Sequence, residues 1–274
     1  MPELPEAEVV TRQVRGALLG AMLEALWIGR PDIIRQGLST SAWYVGSRLQ
    51  AVERRGKSVV LRFGKDRGVR YIVAELGMTG LLLFASAAPS YDKHTHVRLA
   101  FTGGGESLLR YWNPRRFGRM SFLDEEELAA YTARRFGLDP LRMTWEAFRL
   151  LLRSCRGRIK TFLMHQQDLA GIGNIYANEI LYRAGIHPAR RADRLSDARA
   201  RALYGQIQAV LNEAIEYGGS SIRDFLAPNG ACGRFASRHL VYNHAQEPCP
   251  SGCGGRIRII RRERASFYCP RCQR

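Results

Sequence analysis

Four cysteines near the end of the chain have the spacing of a metal site. Two close pairs are separated by 15 residues, which suits a tetrahedral Zn²⁺ ion held by four thiolates, with a β-hairpin between the pairs. Four cysteines leave no coordination position for water, so such a zinc ion would be structural. Paired disulfides and a Cys-X-X-Cys redox site are the alternatives. The predicted ligands are Cys249, Cys253, Cys269 and Cys272.

The N-terminus holds a second group of residues that could do chemistry. Methionine is normally removed before a small residue such as Pro2, which leaves a secondary amine. An α-amino group has a pKa of about 7.7–8, against about 10.4 for lysine, so more of it is neutral and nucleophilic at pH 7. Glu3 and Glu6 could donate or accept a proton nearby. Taken alone, however, proline and glutamate at this position are more typical of ordinary helix capping.

The charge of the chain indicates a polyanionic partner. The 274 residues include 42 Lys+Arg and 25 Asp+Glu, a formal net charge of +17. A positive field attracts phosphate backbones. Arginines are interleaved with Tyr111, Trp112 and Phe117 and are dense after Cys249. Because a cation beside an aromatic ring suits phosphate contact and base stacking, nucleic acid is the predicted partner.

The cellular location follows from what the sequence lacks. No apolar run reaches the roughly 20 residues of a membrane-spanning helix. The opening MPELPEAE is acidic, unlike a secretory signal. Six cysteines over this length do not form a disulfide scaffold. We therefore expect a cytoplasmic protein without membrane association.

The periodicity of apolar residues predicts an α+β fold that positions these groups. A helix between Pro5 and Gly20 is followed by period-two strands, which gives a mainly-β domain over residues 1–125. Residues 126–141 read as a linker. Helical spacing then dominates residues 142–238, ending in a Gly-, Ser- and Asn-rich loop at about 218–238. Residues 239–274 contain the four predicted zinc ligands and form a zinc finger, here called the finger.

Ordered motifs along the whole chain resemble the formamidopyrimidine-DNA glycosylases, bacterial enzymes that excise oxidised purines. No single motif is decisive, but the ordered set is highly specific. The fold that the resemblance implies is a β-sandwich-like domain with a leading helix, a helix-two-turn-helix domain and a zinc β-hairpin finger. The matching segments are PELPEAE at the N-terminus, Arg55-Gly56-Lys57, Leu76-Gly77-Met78-Thr79-Gly80, Asn113-Pro114-Arg115-Arg116-Phe117-Gly118, Gly171-Ile172-Gly173-Asn174-Ile175-Tyr176, Gly218-Gly219 and Tyr268-Cys269-Pro270-Arg271-Cys272-Gln273.

The resemblance implies base excision through a covalent intermediate. The Pro2 amine would attack the sugar C1′ of a flipped lesion nucleotide, and β- and δ-elimination would then cut the strand on both sides of the sugar. Glu3 would be the general acid/base, and Glu6 would lie on the lesion side. Lys57, one of four lysines in the chain, would assist at the lesion-side phosphate, and Arg264 would hold the phosphates flanking the lesion.

Further DNA contacts follow from the same resemblance. DNA-binding positions would be His94, Lys160, Asn174 and Tyr242, of which Asn174 would bind a phosphate. Met78, Arg115 and Phe117 would fill the space that the flipped nucleotide leaves in the base stack. Read without the family, Met78 and Phe117 would be assigned to the core. The partner would be double-stranded DNA with oxidised bases or abasic sites, bound by a monomer in the bacterial cytoplasm at the nucleoid.

The chain departs from the family pattern at Glu75, where histidine is usual, and in the Cys-X₃-Cys spacing of the first cysteine pair. A carboxylate would repel a phosphate, so no phosphate contact is expected from Glu75. Other functions that fit are an endonuclease VIII-type enzyme for oxidised pyrimidines, a non-catalytic protein that binds damaged DNA, and a structural zinc-ribbon protein. The zinc-ribbon reading explains the cysteines but not the N-terminus. Loop residues Ser220, Ser221 and Arg223 are expected to face the lesion.

Overall fold

A computed structural model describes residues 2–87, 90–221, 225–261 and 264–274. The chain forms two compact units. The N-terminal unit runs to Arg134 and also includes Tyr217–Ala236. The C-terminal unit comprises Arg135–Glu216 and Ser237–Arg274. Arg223, which was expected to face the lesion, lies outside the described residues.

Helix α1 (Leu4–Leu18) opens the N-terminal unit. It begins at Glu3, which is its N-cap, and a proline stands in its first turn, where no backbone N–H is needed. Val10, Val14 and Leu18 are fully buried at the helical spacing that the sequence predicted. The helix is tied to the sheet by Arg15, whose Nε donates to the carbonyl of Val52 at 2.9 Å.

Nine strands of the described chain form one sheet in the order β2-β9-β5-β4-β3-β1-β7-β8-β6, in which all neighbours are antiparallel except β2 and β9. Helix α2 (Glu125–Arg135) follows the last strand. The strands are β1 (Met22–Ile28), β2 (Ile34–Gln36), β3 (Arg48–Arg55), β4 (Ser58–Lys65), β5 (Gly68–Glu75), β6 (Leu81–Phe84), β7 (Thr95–Thr102), β8 (Leu108–Trp112) and β9 (Met120–Leu123).

The sheet closes on itself around a single core. Strands β4 and β7 are three places apart in the order, which on a flat sheet would separate them by about 14 Å. The rings of Phe63 on β4 and Phe101 on β7 are nevertheless stacked with centroids 6.4 Å apart. The sheet must therefore curl so that one face packs against itself, as a sandwich-like domain requires.

The segment Tyr217–Ala236 belongs to the N-terminal unit, whereas the sequence analysis grouped residues 218–238 with the helical domain. Phe225 packs in the core of the sheet. The Phe84 N–H donates to the carbonyl of Pro228 at 2.9 Å, and the Asn229 N–H donates to Gln13 Oε1 at 3.1 Å. These long-range contacts carry no local sequence signal, because Gly- and Ser-rich composition shows a loop but not the surface it packs on.

Four helices of the described chain lie within the C-terminal unit: α3 (Trp145–Ser154), α4 (Ile159–Met164), α5 (Asn174–Arg183) and α6 (Asp197–Glu216). Thr144 caps α3, since its side chain accepts from the Ala147 N–H at 3.2 Å. The ring of Phe148 packs 6.2 Å from Phe162 and 5.7 Å from Tyr204, which joins α3 to α4 and α6.

The finger is a hairpin of β10 (Arg258–Ile260) and β11 (Ser266–Tyr268), paired antiparallel in the register Ile259 to Phe267. Its own small core includes Val241, Ile257 and Phe267. The hairpin lies between the two cysteine pairs, as the sequence predicted, and the α+β fold class is confirmed. Among the described residues, no helix combines the length and the apolar character needed to cross a bilayer.

Candidate active site and nucleic-acid interface

The N-terminal residues predicted to act in catalysis are buried at the start of α1. Pro2, which precedes the helix, is buried. Glu3 has extended backbone angles (φ −115°, ψ −163°), and Glu3 and Glu6 are each only 1% exposed. The main-chain N–H of Glu3 donates to Glu6 Oε2 at 2.7 Å, one half of a capping box. Glu6 thus fixes the main chain that carries Pro2 and Glu3.

The second carboxylate oxygen of Glu6 holds the loop that follows α6. Glu6 Oε1 accepts from the Ser220 N–H at 2.7 Å. A Cβ on Gly219 would lie 2.8 Å from that oxygen, and Gly219 has φ +83°, so the close approach depends on glycine. One buried carboxylate therefore links the N-terminus to the loop beginning at Gly218-Gly219.

Lys57 is half-buried in the two-residue turn between β3 and β4. Gly56 supplies the positive φ (+56°) that such a turn needs. Arg54 Nη1 donates to the Gly56 carbonyl at 3.2 Å, and Arg54 Nε donates to Glu8 Oε2 on α1 at 2.9 Å. Burial opposes ionisation of Glu8, but hydrogen bonds from Arg12 and Arg54 outweigh it and lower its pKa. This ion pair joins the Lys57 turn to the helix that begins at Glu3.

The three side chains predicted to enter the base stack are exposed on two neighbouring loops. Met78 is 40% exposed and Phe117 is 58% exposed, although large apolar side chains are usually buried. The loops meet at Gly77, where a Cβ would overlap the main chain of Gly118. The guanidinium of Arg115 lies 5.3 Å from the centroid of the Phe117 ring. The assignment of Met78 and Phe117 to the core, which their residue types alone suggest, is wrong.

Glu75 anchors both of these loops. Its main-chain N–H donates to the Arg119 carbonyl at 2.8 Å, and its carbonyl accepts from the Tyr111 hydroxyl at 2.6 Å. Its carboxylate accepts from Arg35 at 3.0 Å and from the Tyr131 hydroxyl at 2.8 Å. The carboxylate is therefore paired with a cation, and Arg35 offsets its charge.

His94 is exposed in the loop before β7. It adopts φ +71°, which non-glycine residues seldom adopt, and its carbonyl accepts from the Asn113 N–H at 3.0 Å. Its ring lies edge-on to Trp112, with centroids 6.4 Å apart. The hydrogen bond from Asn113 holds His94 next to the loop of Arg115 and Phe117.

In the C-terminal unit, Asn174 is the first residue of α5. The turn that precedes it is braced by Gln166, whose Nε2 donates to the Ile172 carbonyl at 2.9 Å and whose Oε1 accepts from the Gly171 N–H at 2.9 Å. Gly171 has φ +108°. A braced turn at a helix N-terminus presents N–H groups in a geometry suited to a phosphate.

Arg264 is exposed beside β11 and lines a cleft of about 550 Å³. The same cleft is lined by Arg158 and Lys160, so its walls carry several cationic groups. Lys160 itself is 6% exposed, and its Nζ donates to the Ala265 carbonyl at 2.6 Å and to Ser266 Oγ at 2.9 Å. The Lys160 ammonium thus contacts the finger main chain directly after Arg264.

Tyr242 lies in the segment that leads to the cysteines, and its ring packs edge-on to Phe267 at 5.4 Å. The carboxylate of Glu179 on α5 accepts from three successive N–H groups, those of Leu240, Val241 and Tyr242, at 2.8, 3.0 and 2.8 Å. Glu179 is completely buried, and burial raises its pKa despite these bonds. Glu179 therefore sets the path of the chain at Tyr242.

The four cysteines of the sequence analysis converge, with sulfur atoms all within 4.8 Å of one another. Cys249 Sγ lies 3.7 Å from Cys272 Sγ, and Cys253 Sγ lies 3.5 Å from Cys269 Sγ. A tetrahedron with metal–sulfur bonds of about 2.3 Å has sulfurs about 3.8 Å apart, so the cluster has the size of a Cys₄ metal site. The additional residue between Cys249 and Cys253 does not prevent this convergence.

Known proteins share this architecture over the whole chain. Residues 1–120 match the model of the formamidopyrimidine-DNA glycosylase N-terminal domain, and residues 136–226 match the model of the formamidopyrimidine-DNA glycosylase H2TH domain. Formamidopyrimidine-DNA glycosylases of Acidovorax sp. and Methylococcus capsulatus are 39% and 40% identical, each covering 100% of both chains.

Solved structures agree with this assignment. The MutM (Fpg) protein of Thermus thermophilus has a TM-score of 0.85 at 34% identity and covers 99% of this chain and 98% of its own. The Lactococcus lactis Fpg bound to abasic-site DNA has a TM-score of 0.88 at 30% identity, with 99% of each chain covered. A sheet domain with a buried N-terminus, a helix-two-turn-helix and a four-cysteine finger together define a DNA glycosylase of base excision repair. The chain belongs to the formamidopyrimidine-DNA glycosylase family.

The predicted site residues are divided between the two units. Pro2, Glu3, Glu6, Lys57, His94 and the three stack-filling side chains lie in the N-terminal unit, and Lys160, Asn174, Tyr242, Arg264 and the cysteines lie in the C-terminal unit. Three residues that hold these groups in place, Glu8, Arg54 and Glu179, were not predicted from the sequence. Glu179 had one usable signal, since a glutamate on the apolar face of a helix needs a buried partner.

Proposed function

We propose that the chain is a bifunctional DNA glycosylase and abasic-site lyase that removes oxidised purines, including 8-oxoguanine and formamidopyrimidines, from double-stranded DNA. The observation that carries the proposal is the buried Pro2-Glu3-Glu6 arrangement, in which Glu6 fixes both the catalytic main chain and the Gly218-Gly219 loop. A mutant of Lactococcus lactis Fpg has been crystallised with DNA containing Fapy-dG, and Lactococcus lactis Fpg with DNA containing an abasic site, which supports this substrate class.

The chemistry begins at the Pro2 nitrogen, which is a secondary amine once Met1 is removed. The amine attacks the sugar C1′, the glycosidic bond breaks, and the damaged base leaves with a proton. Glu3 donates a proton to the sugar ring oxygen, which leaves C1′ as a hydroxyl, and an iminium then joins Pro2 to C1′. Burial of Glu3 and Pro2 keeps water away from this intermediate.

Strand cleavage follows from the iminium. Loss of a C2′ proton expels the 3′ phosphate, a second elimination expels the 5′ phosphate, and water releases Pro2 from the sugar fragment. Lys57 and Arg264 act on the phosphates beside the lesion. The ammonium of Lys57 is a mobile point charge, and the guanidinium of Arg264 can bind two phosphate oxygens at once.

DNA is held by contacts to its backbone and by filling of the stack. Met78, Arg115 and Phe117 enter the space of the flipped nucleotide, because two exposed apolar groups and a guanidinium can stack and bond where a base was. The braced turn at Asn174 binds phosphate, and His94, Lys160 and Tyr242 support the adjacent backbone. Related chains come from bacteria, and we place the activity in the bacterial cytoplasm.

We propose that the metal of the finger is one zinc ion held by Cys249, Cys253, Cys269 and Cys272. Soft thiolate ligands in a tetrahedral set favour zinc, and a full set of four protein ligands gives it a structural role. When bound, the ion supplies rigidity to the hairpin that carries Arg264.

The test is excision of 8-oxoguanine from a duplex by Pro2→Gly and Glu3→Gln variants. We expect each to lose base excision by at least about 100-fold while keeping affinity for an abasic-site analogue. Glu3→Gln removes the proton donor, and Pro2→Gly replaces a ring-constrained secondary amine by a primary amine on a flexible residue. Glu126→Gln, an exposed glutamate in the first turn of α2, is the matched control and should keep the wild-type rate. Full excision by either catalytic variant contradicts the assigned roles. Excision only from a duplex with an oxidised pyrimidine contradicts the substrate class.

A further inference from the structure

We propose that Asn178 is a positioning residue that fixes the finger hairpin, and with it Arg264, against the helix that begins at Asn174. This inference rests on the proposed function, because it assigns Asn178 to the grip on DNA phosphates. Asn178 lies on α5 and is 1% exposed.

Both ends of the Asn178 amide are engaged. Its Oδ1 accepts from the Phe267 N–H at 2.8 Å, and its Nδ2 donates to the Asn174 carbonyl at 2.6 Å. Rotation of the amide by 180° would place an NH₂ against the Phe267 N–H, so only one orientation satisfies both partners. One side chain thus contacts the first residue of α5 and the middle residue of β11.

The bond to Phe267 occupies the free edge of a two-stranded hairpin. Phe267 pairs with Ile259 on one side, and its N–H on the other side is satisfied by Asn178. A two-stranded hairpin is marginal by itself, so such edge contacts decide where it rests. The carbonyl of Ala265 and the hydroxyl of Ser266 are bonded to the buried ammonium of Lys160.

Three consecutive residues after Arg264 are therefore bonded to buried side chains of the helical part of the same unit. Arg264 is long and exposed, but its Cα has little freedom because residues 265–267 are held. Phosphate contacts set the register of a protein on DNA, and a displacement of about 1 Å is enough to weaken a reaction that depends on alignment. Loss of the Asn178 link should therefore act through Arg264.

A matched control is present on α6. Asn212 Nδ2 donates to the Gln208 carbonyl at 2.9 Å, the same bond to the residue four positions earlier that Asn178 makes to Asn174. Asn212 is exposed, and this hydrogen bond lies within α6. Comparison of the two asparagines separates the helix bond from the link to the finger.

The experiment measures the Kd of a duplex with a tetrahydrofuran abasic-site analogue as a function of salt, using the zinc-loaded full chain. Asn178→Leu and Asn212→Leu are each made alone and in an Arg264→Ala background. We expect Asn178→Leu to weaken binding about tenfold. It should also lower the slope of log Kd against log salt concentration by about one, the change that loss of one phosphate contact produces. In the Arg264→Ala background its effect should disappear, because both changes remove the same contact. Asn212→Leu should bind within about twofold of its parent in both backgrounds.

If Asn178→Leu weakened DNA binding equally in the wild-type and Arg264→Ala backgrounds, the proposal would be overturned, because that result would indicate general destabilisation of the fold. Should Asn178→Leu fail to fold or lose zinc, Asn178→Asp keeps an acceptor for the Phe267 N–H and is expected to keep the wild-type salt slope. A reduced slope in Asn178→Asp, with zinc retained, also overturns the proposal. Absence of binding by the wild-type chain would instead contradict the proposed function, which distinguishes the two failures.

Discussion

Glu6 offers the most direct test of how the N-terminal site is held together. Its two oxygens accept from the Glu3 and Ser220 N–H groups, each at 2.7 Å, and the side chain is 1% exposed. In Glu6→Gln one oxygen remains, and an NH₂ group faces the other N–H. That N–H loses its acceptor, and the remaining bond loses its charge.

The cost can be worked from these two bonds. A buried donor without an acceptor costs about 1–3 kcal/mol, and exchange of a charged acceptor for a neutral one costs about 1 kcal/mol more. We therefore expect the free energy of unfolding of Glu6→Gln to fall by about 2–4 kcal/mol. Excision should slow by about 10- to 100-fold, because either the main chain of Glu3 or the loop at Ser220 moves away from its position.

The assay combines urea denaturation with single-turnover excision at saturating enzyme, which separates stability from the bond-breaking steps. Gly219→Ala should reproduce the slow excision with the carboxylate intact, because its Cβ would meet Glu6 Oε1 at 2.8 Å and its φ is +83°. Thr11→Val removes a buried hydroxyl that donates to Ala7 O on the same helix, and it should destabilise the chain while excising within about twofold of wild type. A Glu6→Gln variant that loses stability but excises at the wild-type rate would falsify the proposed role of Glu6 in catalysis.

Three further predictions concern the DNA grip, the finger and the response to acid. Arg264→Ala should weaken abasic-site binding and reduce the salt slope by about one; an unchanged slope removes Arg264 from the phosphate contacts. Cys272→Ser, or a chelator, should release one zinc per chain and lower DNA affinity by at least about tenfold, and folding with full affinity in the absence of zinc would contradict the finger assignment. Burial, together with the nearby His244, lowers the pKa of His239 from 6.5 to about 4. The folded state holds this imidazole neutral. Its contribution to the free energy of unfolding is therefore complete above pH 6.5 and falls by about 3 kcal/mol as the pH drops through 4. In His239→Gln, the free energy of unfolding measured between pH 6.5 and 4 should no longer show this fall. An unchanged pH profile would contradict the assignment of the fall to His239.

Local patterns in the sequence were sufficient to predict the helical domain and the cluster of cysteines. Helical spacing after residue 142 predicted a helical domain, and the structure has α3 there, capped by Thr144. The cysteine pairs predicted a compact cluster around a hairpin, and the four sulfurs converge. Such features succeed because capping and ligand spacing depend on residues close together in the chain.

Features that depend on distant residues were not predictable in the same way. The type of Met78 and Phe117 indicated burial, but both side chains are exposed on loops that meet where Gly77 packs on Gly118. The carboxylate of Glu75 was expected to repel a phosphate, but it is paired with Arg35, which is 40 positions away in the sequence. Periodicity describes which face of an element is apolar, but it does not identify the partner across the fold.

The same limit applies to the residues that support the site. Arg54 and Glu8 are unremarkable charges in the sequence, yet they form the partly buried ion pair that joins α1 to the Lys57 turn. Asn178 was assigned no role, because its partner Phe267 lies 89 positions away. Buried polar groups of this kind become visible only when each donor and acceptor is traced in three dimensions.

The central claim, that the Pro2 amine is the nucleophile, is tested most directly by borohydride trapping on duplex DNA with 8-oxoguanine, followed by mass spectrometry of the conjugated peptide. Only four lysines compete with the terminal amine, at positions 57, 65, 93 and 160, so the attachment point can be assigned without ambiguity. The account predicts a single conjugate at the Pro2 nitrogen, in chains from which Met1 has been removed. A conjugate at Lys57 or another lysine would contradict it, as would the absence of any conjugate in fully processed chains that bind the duplex.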